Sequence, residues 1–148
     1  MKKIAFAFMV LLMFSQCSPK VYSISNLPDE YIQIGSYGGF TGSVETFFFF
    51  PNGQRFLTHG SPTSDVPENS DEIEGGSKKE FQSMLNDLEE LDFYNIEMME
   101  IGNMTYFVRV KTKKADKSVQ WGDNSTISKS LESFYKNALE GIDKAAIN

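Results

Sequence analysis

The sequence contains very little of the residues that most enzymes use for chemistry. It has one cysteine, one histidine and one tryptophan in 148 residues. A single cysteine excludes a disulfide within the chain, and a single histidine, His59, excludes an HExxH zinc motif. A serine nucleophile would depend on the same histidine, and no GxSxG motif is present. We therefore expect a non-catalytic protein without a metal or cofactor, with His59 exposed to solvent at the end of a strand.

Basic residues are also outnumbered. The chain has 14 lysines and arginines against 20 aspartates and glutamates, a formal net charge of −6. The first sixteen residues contain two lysines and no acidic residue, so their removal would change the charge from −6 to −8. An acidic surface repels the phosphates of nucleic acids and anionic lipids. We expect no nucleic-acid partner, and any membrane contact should come from a lipid anchor and not from a basic face.

The N-terminus has the pattern of an export signal. Lys2 and Lys3 precede an apolar run, Ile4–Phe14, that is too short to span a bilayer as a helix. The run ends at Ser15-Gln16-Cys17, which resembles the lipobox of bacterial lipoproteins. The resemblance implies a signal peptide over residues 1–16, lipidation of Cys17 and a location in the bacterial cell envelope, in the periplasm or at the cell surface. Ordinary cleavage after Cys17, or an unused thiol in a discarded leader, are the alternatives.

The mature chain has the length of one domain. Residues 17–30 are mixed and polar, as expected of a tether, and a single domain is predicted for residues 31–148. Strands are predicted from Tyr31 and from Val44, and the Asn52-Gly53 pair predicts a type I′ hairpin between the second strand and the third. The four phenylalanines at 47–50 must alternate between the two faces of a sheet.

The stretch from His59 to Gly76 is rich in carboxylates and poor in apolar residues. Its spacing lacks the alternating aspartates, central glycine and terminal glutamate of an EF-hand loop. We therefore interpret residues 59–76 as a solvated acidic loop.

The second half of the sequence predicts two helices separated by a hairpin. Ser77 and Glu80 form a capping box before an apolar stripe at helical spacing, and Gly122–Ser125 has the composition of a second helix start. Two strands lie between the helices, whereas the pattern of Asp92–Gly102 allows either a strand or a loop. The order of elements predicts an α+β fold, with an antiparallel sheet of about five strands and two amphipathic helices packed on one face.

One glycine-rich segment stands between the first two predicted strands: Gly38-Gly39-Phe40-Thr41-Gly42. It resembles the GGF(A/T)G motif of emfourin-type proteins, which are small inhibitors of thermolysin-like metallopeptidases. The order of the elements that follow is similar too, and the resemblance covers most of the chain from residue 34 to residue 142. It implies that residues 38–42 bind a partner, namely an envelope or secreted protein such as a metallopeptidase.

Two interpretations of this segment are possible. In the first, the glycines form a tight bend that inserts Phe40 into the core; in the second, the bend presents Phe40 as a rigid aromatic anchor. An exposed Phe40, together with exposed aromatics at 47–50, would favour an inhibitor or binding domain. Burial of both would favour a structural or accessory envelope lipoprotein without inhibitory activity.

Overall fold

The protein is an α+β domain with one six-stranded antiparallel sheet and two helices, as seen in a computed structural model that describes residues 20–40, 42–60 and 69–146. The strand order is β4-β3-β2-β1-β5-β6. The elements in chain order are β1 (Tyr31–Gly38), β2 (Ser43–Phe49), β3 (Arg55–Gly60), β4 (Asn69–Ile73), α1 (Lys78–Glu90), a short 3-10 helix (Phe93–Asn95), β5 (Met104–Lys111), β6 (Asp116–Gly122) and α2 (Lys129–Ala146).

The predicted α+β class is confirmed, but the sheet has six strands where about five were expected. The additional strand is β4, which lies inside the segment predicted as an acidic loop at 59–76. The first two residues of that predicted loop, His59 and Gly60, belong to β3. The sequence pattern misses β4 because four of its five residues are exposed and only Ile73 is half-buried. An edge strand needs backbone hydrogen bonds to one neighbour and no apolar alternation, and its acidic side chains discourage further pairing.

One face of the sheet carries the main core. Side chains from β1, β2, β5 and β6 share this cluster with both helices, so α1 and α2 contribute to the same apolar interior. The strand register explains the grouping, because Ile34 lies opposite both Phe47 and Val108, and Val108 lies opposite Val119. Residues directly opposite one another in an antiparallel pair point to the same face.

The other face has a smaller apolar cluster at one end of the sheet. It contains Tyr31, Phe48, Phe50 and Phe56, and it is covered by Tyr22 and Ile24 from the segment before β1. The Tyr22 backbone N–H also donates to Gln54 Oε1 at 2.7 Å. Residues 17–30 are predicted to be a tether, but Tyr22 and Ile24 within this stretch pack against the sheet.

The β2–β3 hairpin is present as predicted, but its turn is not type I′. Gly53 N–H donates to the Phe50 carbonyl at 2.9 Å, so Pro51 and Asn52 are the two central residues. Proline fixes a negative φ and favours the first central position of an ordinary turn. Gly53 takes the left-handed conformation alone, at φ 93°.

The two helices begin with hydroxyl caps. The capping box predicted at Ser77 and Glu80 is confirmed, with the Glu80 N–H donating to Ser77 Oγ at 3.1 Å. The helix start predicted at Gly122–Ser125 is wrong, since α2 begins at Lys129 and the Leu131 N–H donates to Ser128 Oγ. Ser125 instead closes a turn by accepting from the Gly122 N–H at 2.9 Å.

The sheet has two ends with different neighbours. We call the end where β1 and β6 finish and β5 starts the loop end, because the β1–β2 loop and the β6–α2 connection lie there. The opposite end is the turn end, which has the β2–β3 and β5–β6 turns.

Candidate binding surface at the loop end

The β1–β2 loop is a tight glycine bend that projects a single large side chain. Gly38 and Gly39 have φ of 113° and 70°, a conformation that residues with a side chain rarely adopt. The Gly39 N–H donates to the Asn103 carbonyl at 2.7 Å, and a Cβ at Gly38 would collide with the same carbonyl. The loop is thereby held against the start of β5.

Phe40 lies at the tip of this loop and is fully exposed, at 108% of the reference accessible area. The interpretation in which Phe40 fills the core is therefore wrong. Of the five predicted binding residues, Gly38 and Gly39 fix the backbone, Phe40 points to solvent, and Gly42 closes the bend by donating its N–H to the Gly39 carbonyl at 3.2 Å. Thr41 lies outside the described residues.

A second exposed apolar stretch approaches the loop end along the outer edge of β6. The Gln120 N–H donates to the Met98 carbonyl at 3.0 Å, and the Glu100 N–H donates to the Gln120 carbonyl at 3.1 Å. Met98 packs against the main core, whereas Met99 and Ile101 are exposed by 67% and 77%. Neighbouring residues of an extended segment point in opposite directions, so the exposed pair shares one side. The sequence pattern of Asp92–Gly102 allows either a strand or a loop. In the structure, residues 98–100 of this stretch pair with Gln120 at the edge of β6.

The four phenylalanines at 47–50 offer little exposed aromatic surface, since Phe47 is half-buried and the other three are buried. Phe49 lies in the main core and Phe47 packs against it, whereas Phe48 and Phe50 belong to the smaller cluster on the other face. The predicted alternation between faces is confirmed, and both faces are covered at these positions.

A groove opens between the loop end of the hairpin β5–β6 and the first half of α2. It has a volume of about 540 Å³ and is lined in part by Tyr106, Trp121 and Tyr135. The rings of Tyr106 and Trp121 stack with centroids 6.1 Å apart, and Tyr135 meets the Trp121 ring edge-on at 5.3 Å. Burial raises the pKa of Tyr135 to about 12, and its hydroxyl donates to the Gly35 carbonyl at 3.3 Å.

The three rings belong to separate elements, β5, β6 and α2, and no local sequence pattern brings them together. The signal that would have found the contact is the register of the β5–β6 hairpin, which places Tyr106 directly opposite Trp121. Tyr135 is recognisable only as part of the apolar stripe of α2, because its tertiary neighbours are far away in the sequence.

His59 lies near the loop end of β3, as predicted, and is half exposed. Its Nδ1 is 3.9 Å from Glu45 Oε2, and Glu45 is half exposed as well. In the part of the chain that the structure describes, no three histidine, cysteine, aspartate or glutamate side chains come close enough together to hold a metal ion. The main features of the loop end are a backbone fixed by hydrogen bonds and exposed apolar side chains.

The predicted lipidation site, Cys17, lies outside the described residues. Among residues 20–40, 42–60 and 69–146, no helix has both the length and the apolar character needed to cross a membrane.

Comparison with models of known protein families gives no match to this chain. A search of curated proteins finds no similar sequence either.

Proposed function

We propose that this chain is an exported, lipid-anchored and non-catalytic binding domain, with the loop at residues 38–42 as its contact segment. The proposed target is a thermolysin-like metallopeptidase, as the resemblance to emfourin implies. The observation that supports the proposal most strongly is the full exposure of Phe40 on a backbone held by the Gly39–Asn103 hydrogen bond. The proposed anchor is a lipid on Cys17, in the bacterial cell envelope.

An exposed phenylalanine on a fixed loop suits the apolar cleft of a partner. Burying a phenylalanine side chain contributes about 1.5–3 kcal/mol of hydrophobic free energy. A loop that already has its bound conformation loses little entropy on association, so more of this free energy appears as affinity. Aromatic anchors of this kind contribute a large share of the binding energy in many interfaces.

The alternative is a structural or accessory envelope lipoprotein without inhibitory activity. The burial of Phe48, Phe49 and Phe50 favours this alternative, because β2 then serves the interior of the domain and not an interface. The two proposals differ in the role of Phe40, and they can be separated by experiment.

The experiment is a titration of a panel of thermolysin-like peptidases with the chain Ser18–Asn148, which contains every residue that the structure describes. We expect stoichiometric inhibition that is lost in Phe40→Ala. The matched control is Val21→Ala, since Val21 is another exposed apolar residue, at 71%, and the chain around it packs at the turn end. Inhibition that survives in Phe40→Ala would remove the loop from the interface. No inhibition at micromolar protein would favour the accessory role.

A further inference from the structure

The β5–β6 turn concentrates positive charge in a chain that is acidic overall. Four lysines, at 111, 113, 114 and 117, lie within seven residues of this hairpin, where β5 ends and β6 begins. The one carboxylate in that stretch, Asp116, is engaged by Arg109 through two hydrogen bonds of 2.8 Å, which lower the pKa of Asp116. In the described part of the chain, none of the four lysines forms an ion pair within 4.0 Å.

Further lysines lie at the same end of the sheet. Lys20 is held beside the β2–β3 turn, because Asn52 Nδ2 donates to the Lys20 carbonyl at 2.8 Å. Lys78 and Lys79 begin α1, where the backbone contacts Gly53. The turn end therefore has seven lysines, and carboxylates lie there too: Asp29, Glu30, Glu72 and Glu74, with Asp92 and Glu97 in the segment that reaches the outer edge of β6 from this end. The excess of lysine is greatest at the β5–β6 turn, with four lysines to one carboxylate.

The N-terminal chain also enters the domain at the turn end. Tyr22 and Lys20 are bonded to Gln54 and Asn52 of the β2–β3 turn, so residues 1–19 precede a point fixed at this end. Only Ser18 and Pro19 separate Cys17 from Lys20. Three Cα–Cα steps span at most about 11 Å. A lipid on Cys17 would therefore bring the turn end to the surface of the bilayer.

We propose that the turn end is a docking surface for an anionic membrane, with the lysines of the β5–β6 turn facing phosphate-bearing lipid headgroups. The orientation of the domain rests on the lipid anchor of the proposed function, whereas the affinity of the lysines for anionic lipid does not. The loop end, with Phe40, would then point away from the membrane.

The net charge of −6 is a sum over the whole chain and does not show this local group of lysines. The two ends are separated by the length of an eight-residue strand, about 26 Å at 3.3 Å per residue. This separation exceeds twice the Debye length of about 10 Å at 0.1 M salt, so acidic residues at the loop end barely weaken the field of the lysines at the turn end. The expectation that membrane contact comes from a lipid anchor and not from a basic face rests on the average composition, whereas the proposal rests on the distribution of charge.

The experiment measures sedimentation of the chain Ser18–Asn148 with vesicles at 0.1 M salt. One set of vesicles is phosphatidylcholine alone. The other also contains about 30% phosphatidylglycerol, because its anionic headgroups attract basic segments. We expect binding to the anionic vesicles only. The variant Lys113→Gln/Lys114→Gln should bind about 30-fold more weakly, since each lysine near an anionic surface contributes a factor of about five. The control Lys129→Gln/Lys136→Gln removes the same charge from α2 and should bind like the parent chain.

Each outcome decides the proposal. Equal losses in the two double variants would indicate a general charge effect and would overturn it, as would equal binding to both sets of vesicles. Inorganic phosphate at about 10 mM would saturate a phosphate site whose Kd is about 1 mM. If it abolishes binding to the vesicles, the lysines bind free phosphate and not a lipid surface. Absence of binding would overturn the docking surface even if the full chain, processed in a bacterial host, floats with phosphatidylcholine vesicles. Failure of that processed chain to float would overturn the lipid anchor and the orientation, but not the affinity of the lysines.

Discussion

The two ends of the sheet differ in which side chains they expose to solvent. At the loop end Phe40, Met99 and Ile101 are exposed, and the loop backbone is fixed by hydrogen bonds. At the turn end Phe50 is completely buried, and the exposed residues include many lysines. Exposed apolar side chains suit a protein cleft, whereas exposed lysines suit an anionic surface. On the two proposals above, the loop end would face a protein partner and the turn end would face a membrane.

The difference between the two ends can be tested by replacing one phenylalanine with alanine at each end and comparing the free energies of unfolding. Phe50→Ala should destabilise the domain by about 3–5 kcal/mol, because the ring is fully buried among Tyr22, Phe48 and Phe56 and its removal leaves a cavity. Phe40→Ala should change the free energy of unfolding by less than about 0.5 kcal/mol, since an exposed ring has few contacts to lose. Urea unfolding measures both, and a large destabilisation by Phe40→Ala would contradict the assignment of Phe40 to a binding surface.

Arg55 holds α1 against the turn end, and its removal should have the next largest effect. Its side chain is 3% exposed, Nη1 donates to Glu80 Oε1 at 3.1 Å, and Nη2 donates to the Glu74 carbonyl. We expect Arg55→Ala to lower the free energy of unfolding by about 3 kcal/mol. Arg109→Ala is the control, because its ion pair with Asp116 is exposed on both sides and should contribute less than about 1 kcal/mol. Equal losses would mean that burial of the Arg55 pair has no special role.

The aromatic groove at the loop end gives a smaller effect. Tyr135→Phe removes the hydrogen bond to the Gly35 carbonyl and leaves the ring contacts in place. A hydrogen bond of this type contributes about 1 kcal/mol, which thermal unfolding at neutral pH can measure. No change would show that the Tyr135 hydroxyl is equally well satisfied by water.

The same variant makes the pH dependence testable. Burial is the main cause that raises the pKa of Tyr135 to about 12, from about 10 in the unfolded chain. The unfolded state therefore loses this proton first, and the contribution of Tyr135 to stability, complete below pH 10, declines as pH rises from 10 to 12. We expect the stability difference between the parent chain and Tyr135→Phe to narrow over that range. A constant difference would contradict the raised pKa.

Local signals in the sequence predicted the fold well where a few adjacent residues determine the structure. The capping box at Ser77 and Glu80 and the β2–β3 hairpin are of this kind, because their hydrogen bonds join residues close in sequence, although the hairpin turn is centred on Pro51-Asn52 and not on Asn52-Gly53. β4 was not predicted, since an exposed edge strand has no hydrophobic pattern of its own. Its pairing with β3 is a tertiary property.

The candidate surfaces were harder to predict for a related reason. The glycines around Phe40 indicate a bend, but a bend can direct a side chain inwards or outwards, and only the contact with Asn103 decides the direction. The lysines of the β5–β6 turn are visible in the sequence, whereas their position at the same end of the sheet as Lys20 follows from the strand order. An average charge of −6 hides such a local concentration.

The proposed opposite orientation of the two ends on a membrane can be measured directly as the height of each end above the bilayer. A fluorophore is attached to Lys79→Cys at the turn end or to Asn124→Cys at the loop end of the lipidated chain on phosphatidylcholine vesicles that contain a quencher in the headgroup region. We expect strong quenching at residue 79 and weak quenching at residue 124, because the ends lie about 26 Å apart. Equal quenching, or stronger quenching at residue 124, would contradict it.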